Sequence, residues 1–460
     1  MPNASASRFR FVAHALRGDG PFRPKVEAVG VGTDVQLSGE SALVRYPRES
    51  ALKFARRNDV AFYASPLMRA CARFVGYLGA KPPGRELPGD LYKLIADNVD
   101  GKGSAIDVFW SQFMVDAKAR GTMLLQVDMP ASPGENRAQQ IAERRVPVWI
   151  SIAPESVTDY AIGDDGKFDF VEYGGTFDMP DKSRVPCAWR FDREAWSAVD
   201  DKKKVLDQGV HPLKECPVLI FTEAGDFPSF GPFASIADIA RRLFNAESEL
   251  DEILRAQTFS LLTMQVPDAA TDTEKLGAAK VVGETIGTAN LMVHTGSTPA
   301  FIAPPDGPAR VYLDRIKGLH QLIAEVGLDV GTVNERESGL AMRMRFAAIN
   351  AELAGFAGRM EDLERRAWDL SRRWLSMQGA PSVQWTRDYN LADIEQELRI
   401  LAEMQAAGMP AAVIAEQQRR IVAVQFGGLE QTRVDEINQA IDERENEPRP
   451  TTPPTQPVGA

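Results

Sequence analysis

The chain has 460 residues, of which 44% are hydrophobic and 25% are charged, so it can bury a large core and divide into two or three domains. Its net charge of −11 argues against a protein that wraps nucleic acid through many phosphate contacts, although an acidic wall suits a channel past which a polyanion slides. No apolar run reaches the length of about eighteen residues that a membrane span needs, and no secretory signal pattern is visible.

The cysteines indicate the compartment. Cys71, Cys187 and Cys216 are odd in number and far apart in the sequence. This spacing favours neither a disulfide framework nor a metal site. It predicts three buried free thiols in a reducing compartment.

Residues 1–46 are rich in Gly, Ser and Ala and are strongly basic at the start. The first 25 residues contain one acidic residue, Asp19, and the basic residues Arg8, Arg10, Arg17, Arg23 and Lys25. This composition predicts a basic arm that is mobile until it docks, or a disordered terminus without a task. Helical patterns then start near Pro47 and after Pro66, and a third runs from Ile106 to about Gly121.

The segment 97–104 is rich in side-chain oxygens, but Val99 stands where an EF-hand loop needs a ligand. We expect a turn that leads to a helix cap at Ser104, with Asp107 three residues on. From Thr122 to Phe221 short apolar runs alternate with turn residues, which predicts a meandering β region. The run Asp200–Lys204 within it predicts an exposed hairpin tip.

A helix of about six turns is predicted from Ser235 to Gln257, because apolar residues recur there at three- and four-residue steps. Ser235 is its expected N-terminal cap. The predicted elements that follow are a strand at 261–266, a helix at 273–284, strands at 290–294 and 300–303, a helix at 310–326 and a long helix from 338 to about 375. Two helices therefore bracket a small insertion and precede one very long helix.

Three shorter helices are predicted at 391–407, 411–426 and 429–445, each ended by glycine or charged residues. Residues 446–460 contain five prolines, which predicts a disordered tail.

A search for catalytic chemistry finds almost nothing. The sequence lacks a phosphate-binding loop, a nucleophile elbow and a zinc-binding helix motif, and its four histidines are never paired at ligand spacing. The carboxylates Glu247, Glu249, Asp251 and Glu252 fall where a helix presents a solvent or channel face. We therefore predict no catalytic, cofactor-binding or metal-binding residue, and an architectural role rather than an enzyme.

The order of these parts is similar to that of portal proteins of tailed bacteriophages, the head-to-tail connectors at one capsid vertex. The sequence looks most like a portal-like branch of unknown function, whose members carry an aromatic-rich N-terminal helical region, an Asp-Gly-x-Gly-Ser segment and a strand followed by a Pro-Glu-x-Val turn. Here these motifs are Asp100–Ser104 and Pro154–Val157. The resemblance covers roughly residues 49 to 445.

This resemblance implies an α+β fold, the phage portal fold, with a mixed α/β wing, a two-helix stem, a small α/β clip, a long wing helix and a helical crown. The implied parts are an N-terminal arm at 1–46, the wing at 47–231, stem helix 1 at 232–258, the clip at 259–309, stem helix 2 at 310–327, the tunnel loop at 328–337, the long wing helix and return strand at 338–389, the crown at 390–445 and the tail at 446–460.

The implied function is a ring, commonly of twelve copies, that serves as the channel for DNA packaging and ejection. Its implied partners are further copies of itself, double-stranded DNA, the major capsid protein, the terminase large subunit and a head-tail adaptor, with no membrane. The implied location is the virion, and the host cytoplasm during assembly. No cofactor is implied.

Predicted DNA-channel residues are Glu335, Arg336 and Glu337 in the tunnel loop and Arg241, Arg242, Glu247 and Asp251 on the first stem helix. Contacts would be made to the DNA backbone rather than to base edges. The loop has one Arg and no Lys, which argues against tight gripping of DNA. For Arg241 and Arg242, salt bridges between subunits are an equal alternative.

Two other functions stay open. One is a different ring-forming head-tail adaptor, which would have less need of both a helix pair and a crown. The other is an enzyme whose carboxylates meet a metal ion between subunits.

Overall fold

The computed structural model describes residues 3–28, 35–129, 136–179, 181, 183–258, 261–265, 291–294, 301–302, 307–328, 339–387, 389, 394–426 and 431–445. The chain divides into two compact units, Met1–Tyr389 and Asn390–Ala460. The first mixes helices with sheets that are antiparallel except for the parallel pair of strands Leu261–Gln265 and Leu291–His294, and the described part of the second is helical. The α+β class is therefore confirmed.

The helices of the first unit are α1 (Asn3–Arg17), α2 (Ala51–Val60), α3 (Pro66–Gly79), α4 (Asp90–Asp97), α5 (Ile106–Arg120), α6 (Arg137–Ala142), α7 (Ala234–Thr258), α8 (Gly307–Val326) and α9 (Gly339–Trp374). The strands are β1 (Lys25–Ala28), β2 (Val35–Ser38), β3 (Gly84–Glu86), β4 (Thr122–Asp128), β5 (Val148–Ile152), β6 (Val157–Ile162), β7 (Phe168–Asp178), β8 (Arg184–Asp192), β9 (Ala195–Val199), β10 (Val205–Val210), β11 (Val218–Thr222), β12 (Leu261–Gln265), β13 (Leu291–His294), β14 (Phe301–Ile302) and β15 (Ser382–Gln384).

The predicted β region consists of two antiparallel sheets. One has five strands in the order β10-β9-β8-β7-β6, and the other has three in the order β11-β4-β5. Asp200–Lys204 connects β9 to β10, so the predicted hairpin tip is confirmed.

The three-stranded sheet separates two cores. Residues of β4 point alternately to either side, and Met123, Leu125 and Val127 pack with the helices while Leu124 packs with the five-stranded sheet. On the helix side Trp149 of β5 lies 4.9 Å, centroid to centroid, from Trp368 of α9. Burial on both faces explains why β4 reads as a continuous apolar run.

The N-terminal region differs from the expected mobile arm. Residues 3–17 form α1, and Phe9, Val12 and Leu16 on it are almost completely buried. The arginines Arg8, Arg10 and Arg17 of this helix lie outside its buried face, and Arg8 pairs with Asp238 of α7. The prediction of a mobile arm is wrong for residues 3–28, since an amphipathic helix buries its apolar side and leaves its charges outside.

Two predicted helix caps are also wrong. The hydroxyl of Ser235 donates to the Pro232 carbonyl oxygen at 2.7 Å and caps no free N–H group. The N-terminal cap position of α5 is Ala105 rather than Ser104. The preceding turn is held instead by the Asp100 carboxylate, which accepts from the backbone N–H groups of Lys102 and Ser104.

The predicted spine of the chain is confirmed in the described residues. Helices α7 and α8 flank a small sheet of order β13-β12-β14 and precede α9, which runs for 36 residues. The helix predicted at 273–284 lies outside the described residues.

The end of α5 comes very close to the residues just before α7. Gly121 has φ +80°, and a Cβ there would lie 1.8 Å from the Gly231 nitrogen. Only glycine therefore fits at position 121.

The second unit contains α10 (Ile394–Ala406), α11 (Ala411–Phe426) and α12 (Gln431–Glu445). Ala415, Ile421 and Val422 of α11 are buried, and Arg419 of α11 pairs with Asp442 of α12. The three helices expected after residue 390 are thus present, while residues 446–460 lie outside the described ones.

Candidate functional site

Helices α7 and α8, called the helix pair below, pack against each other in antiparallel directions. Glu247 of α7 lies beside His320 of α8, with 3.9 Å between Oε1 and Nε2, whereas Glu249 accepts a hydrogen bond from the earlier residue Tyr312. Later residues of α7 therefore lie beside earlier residues of α8, as in an antiparallel pair. Leu319 and Ile323 form the buried face of α8 in this contact.

Two of the predicted channel residues share one side of α7. Glu247 and Asp251 are four residues apart and so lie one turn apart on the same side. Burial and the nearby Asp251 charge raise the pKa of Glu247. His320 lies 3.9 Å from Glu247.

The two arginines point elsewhere. Arg241 donates from Nε to the Ala42 carbonyl oxygen at 3.1 Å, so it faces the loop before α2. Arg242 is exposed on the side of α7 opposite to Glu247. The structure therefore does not bring the four predicted residues together, and the assignment of Arg241, Arg242, Glu247 and Asp251 to a DNA channel stays a prediction.

The other two acidic residues of α7 have partners. Glu249 accepts hydrogen bonds from the hydroxyls of Tyr46 and Tyr312. Burial and then Glu249 raise the pKa of Tyr46, and the hydrogen bond to Glu249 raises the pKa of Tyr312. Glu252 lies 3.5 Å from Lys53 and 3.3 Å from Arg255. Neither carboxylate presents the free acidic face that the sequence suggests. Glu335, Arg336 and Glu337 lie outside the described residues.

A cavity of about 270 Å³ lies where α3 meets the helix pair. Its apolar wall includes Leu243, Phe244 and Ile323, and its polar lining includes Arg69, Arg73, Glu247 and His320. The cavity lies beside Gly327, immediately before the segment that resembles a tunnel loop.

A buried lysine connects the base of the helix pair to the rest of the unit. Lys118 of α5 has no exposed surface, and its Nζ lies 2.5 Å from Glu223 and 2.6 Å from Glu352 of α9. Nζ is also 4.1 Å from the ring centroid of Phe74 and 4.2 Å from that of Phe233. Burial raises the pKa of Glu223, and the Lys118 charge opposes that rise.

This cluster is absent from the residues predicted above, although the sequence contains a signal for it. Lys118 follows Met114 by four residues and therefore stands on the apolar stripe of α5, where a lysine is out of place. Its carboxylate partners come from positions more than one hundred residues away. Only the fold identifies them.

The two motifs of the family resemblance have structural roles. Glu155 of the Pro-Glu-Ser-Val turn accepts two hydrogen bonds from the buried Arg120 guanidinium, at 3.0 and 2.8 Å. Burial alone would raise the pKa of Asp100, but hydrogen bonds from Ser104 and Lys102 outweigh it and lower that pKa. Gly101 and Gly103 have φ values of +70° and +105°, which explains the glycines of this turn.

The described residues contain no group of three or more His, Cys, Asp or Glu side chains that could hold a metal ion. No helix in this part of the chain is long and apolar enough to cross a membrane. Cys71, Cys187 and Cys216 are free and buried, as predicted. Burial raises the pKa of each thiol.

No protein-family profile and no curated protein matches the sequence. Solved structures of gene transfer agent particles resemble the fold weakly. A chain from the virion of a native particle has 12% identity and a TM-score of 0.42, and the match covers 75% of this chain and 86% of that one.

Two further chains come from particle necks. For the neck of a native particle, computed with C12 symmetry, the identity is 11%, the TM-score is 0.43, and the coverage is 75% of this chain and 86% of the other. For the neck of an empty particle, computed with C6 symmetry, the identity is 12% and the TM-score is 0.44. This match covers 79% of this chain and 91% of the other. Likenesses at these scores assign neither fold nor function.

Proposed function

We propose that this protein is a portal protein, the ring-forming head-to-tail connector of a tailed phage or a phage-like particle. Copies of the chain, about twelve as the resemblance implies, would surround a channel through which DNA is packaged and ejected. The ring would sit at one capsid vertex among major capsid proteins and would dock the terminase large subunit and a head-tail adaptor. Assembly would take place in the host cytoplasm.

The observation that carries this proposal is the order and packing of the spine. An antiparallel helix pair brackets a small sheet and is followed by a 36-residue helix that packs into the α/β body. In the portal architecture these elements are stem, clip and long wing helix. The net charge of −11 suits a channel that repels DNA from its wall rather than binding it.

The buried charges support a load-resistant body. Lys118, Arg120 and Glu364 are completely buried and each joins elements that are distant in the sequence. Removal of one partner of such a pair leaves a buried charge unpaired and costs about 3–5 kcal/mol. A ring that transmits force between capsid, DNA and tail needs a wing of this kind.

Negative-stain electron microscopy of the purified full chain tests the proposal. We expect rings with a central hole that persist in EDTA. A ring-forming adaptor without a channel role would give rings that fail to bind a terminase large subunit in a pull-down. Single globular particles in every preparation would contradict the proposal, and a hydrolytic activity abolished by EDTA would favour the enzyme with a metal between subunits.

A further inference from the structure

The two sides of the helix pair differ in charge. Helical geometry, at about 100° per residue, places Glu247, Asp251 and Leu254 of α7 on the same side of the pair as Leu313 of α8. We call these four residues the acidic flank. The opposite side of α7 carries Arg242 and also Glu249, whose carboxylate accepts hydrogen bonds from Tyr46 and Tyr312. Val311, Arg315 and Leu322 of α8 lie on this side together with Arg242. We call these the basic flank.

Both flanks expose large apolar side chains. On the basic flank Val311 is 68% exposed and Leu322 is 42% exposed, and on the acidic flank Leu313 is 54% exposed and Leu254 is 45% exposed. The face of α8 that contacts α7 is well buried, and Leu319 on it is only 2% exposed. A helix that is apolar on its buried face and on both adjoining sides has more apolar surface than the described residues of this chain cover.

The charges on the flanks are also open. Among the described residues, neither Asp251 nor Arg315 has an ion pair, and both are exposed. Glu247 is half-buried, lies 3.9 Å from His320 and lines the cavity together with Arg69 and Arg73 of α3. Lys317 lies at the outer edge of the acidic flank, and Asp314 points away from both flanks.

The complementary groups lie at the same height along the pair. Glu247 is level with His320 and Glu249 approaches Tyr312, so Asp251 and Leu254 are level with the first turns of α8. Val311 and Arg315 stand in those turns. A neighbour related by rotation alone, without a shift along the helices, therefore brings Arg315 to the Glu247 and Asp251 carboxylates and Val311 to Leu254.

We propose that the acidic flank of one copy packs against the basic flank of the next copy. This inference rests on the ring proposed above, and it identifies the two surfaces that would meet between neighbouring copies. Two unlike flanks make a head-to-tail contact, which generates a ring when the rotation closes. A two-fold dimer through either flank would place like charges opposite each other, so the charge pattern opposes it. Glu247 and Asp251 then lie between copies rather than on the channel wall.

Charge reversal tests the contact. Asp251→Arg and Arg315→Asp each place like charges at the contact, and we expect each to raise the protein concentration needed for half-assembly by about tenfold or more. The double variant exchanges the two charges and restores assembly. Asp314→Arg is the matched control, since it makes the same charge change on α8 away from both flanks, and it assembles as wild type.

Native mass spectrometry, with circular dichroism to verify folding, reads the result. Single variants that assemble as wild type, or a folded double variant that fails to assemble, would overturn the contact while leaving the ring intact. A wild type without rings would overturn the ring itself and the contact with it.

Disulfide trapping is independent of the stability of the charge variants. With Leu254→Cys and Val311→Cys together, mild oxidation should give a ladder of linked subunits on a non-reducing gel. The native cysteines are buried and free, so they contribute little background. The control pair, Leu254→Cys with Leu313→Cys, has both cysteines on one flank and should give no ladder. A ladder in the control alone, or in neither, would overturn the proposal.

Discussion

The helix pair and the rest of the first unit, called the body here, differ in how their charged side chains are placed. In the body, Lys118, Arg120 and Arg57 are buried and each contacts one or more carboxylates. On the helix pair, Asp251 and Arg315 are exposed and have no ion pair among the described residues. These buried charges of the body are paired within the chain, whereas the helix pair has both charged and apolar groups that a second molecule can cover.

The largest effect that would test this contrast is expected at Lys118. In Lys118→Met the charge is lost while Glu223 and Glu352 remain, so we expect the free energy of unfolding to fall by about 3–5 kcal/mol. Urea unfolding at one protein concentration measures it. Lys53→Met is the matched control, because its ammonium lies 3.5 Å from Glu252 at the surface and its loss should cost under about 1 kcal/mol. Equal stability of the two variants would contradict a body held by buried charges.

A pH-dependent effect is expected at Glu49, whose carboxylate accepts from Arg57 Nε at 3.0 Å and Nη2 at 2.9 Å. Burial alone would raise its pKa, but hydrogen bonds from Arg57 and from the Tyr46 backbone N–H, together with the Arg57 charge, outweigh burial and lower the pKa below its ordinary value of 4.5. A carboxyl with a lowered folded pKa stabilises the protein above its unfolded pKa, and this stability is lost as pH falls through the folded pKa.

Urea unfolding of wild type and Glu49→Gln between about pH 7 and about pH 3 measures this contribution. The difference in unfolding free energy should be largest near neutral pH and should shrink below pH 4.5. Asp362→Asn, at an exposed pair with Arg366, is the control and should show almost no difference at any pH. A Glu49→Gln difference that is constant with pH would mean that the ion pair has no part in it.

The smallest effect on folding is expected on the helix pair. Val311→Ser changes a side chain that is 68% exposed, so the free energy of unfolding should stay within about 0.5 kcal/mol of wild type. Assembly should nevertheless weaken, because the apolar contact to the next copy is lost. Leu319→Ala, on the buried face of the same helix, should instead cost about 2–5 kcal/mol. A Val311 variant that loses stability without loss of assembly would argue for burial within the chain.

Much of the fold follows from local patterns. Ile236, Leu243 and Leu250 repeat with helical spacing and predict α7, and the apolar run of β4 predicts a strand. The same rule applied to Phe9, Val12 and Leu16 would have found α1, whose arginines drew attention to charge instead. Local periodicity is reliable where one face of an element is buried.

The candidate site is harder to predict from the sequence, because tertiary contacts decide which of its charged side chains have partners. Nothing local distinguishes Glu249, which is held by two tyrosines, from Asp251, which is exposed two residues later. Arg241 and Arg242 are adjacent, yet only the first is bound to the Ala42 carbonyl oxygen. Which charges remain for a partner is decided by the loops and helices that pack against α7.

The mass of the purified wild-type protein, measured by native mass spectrometry over a range of concentrations, tests the central claim most directly. We expect one closed assembly, because unlike flanks that meet head to tail leave no free surface only when a ring closes. The family resemblance implies about twelve subunits. A monomer or a two-fold dimer at every concentration would contradict the account, since it would mean that the open flanks of the helix pair are not covered by further copies of this chain.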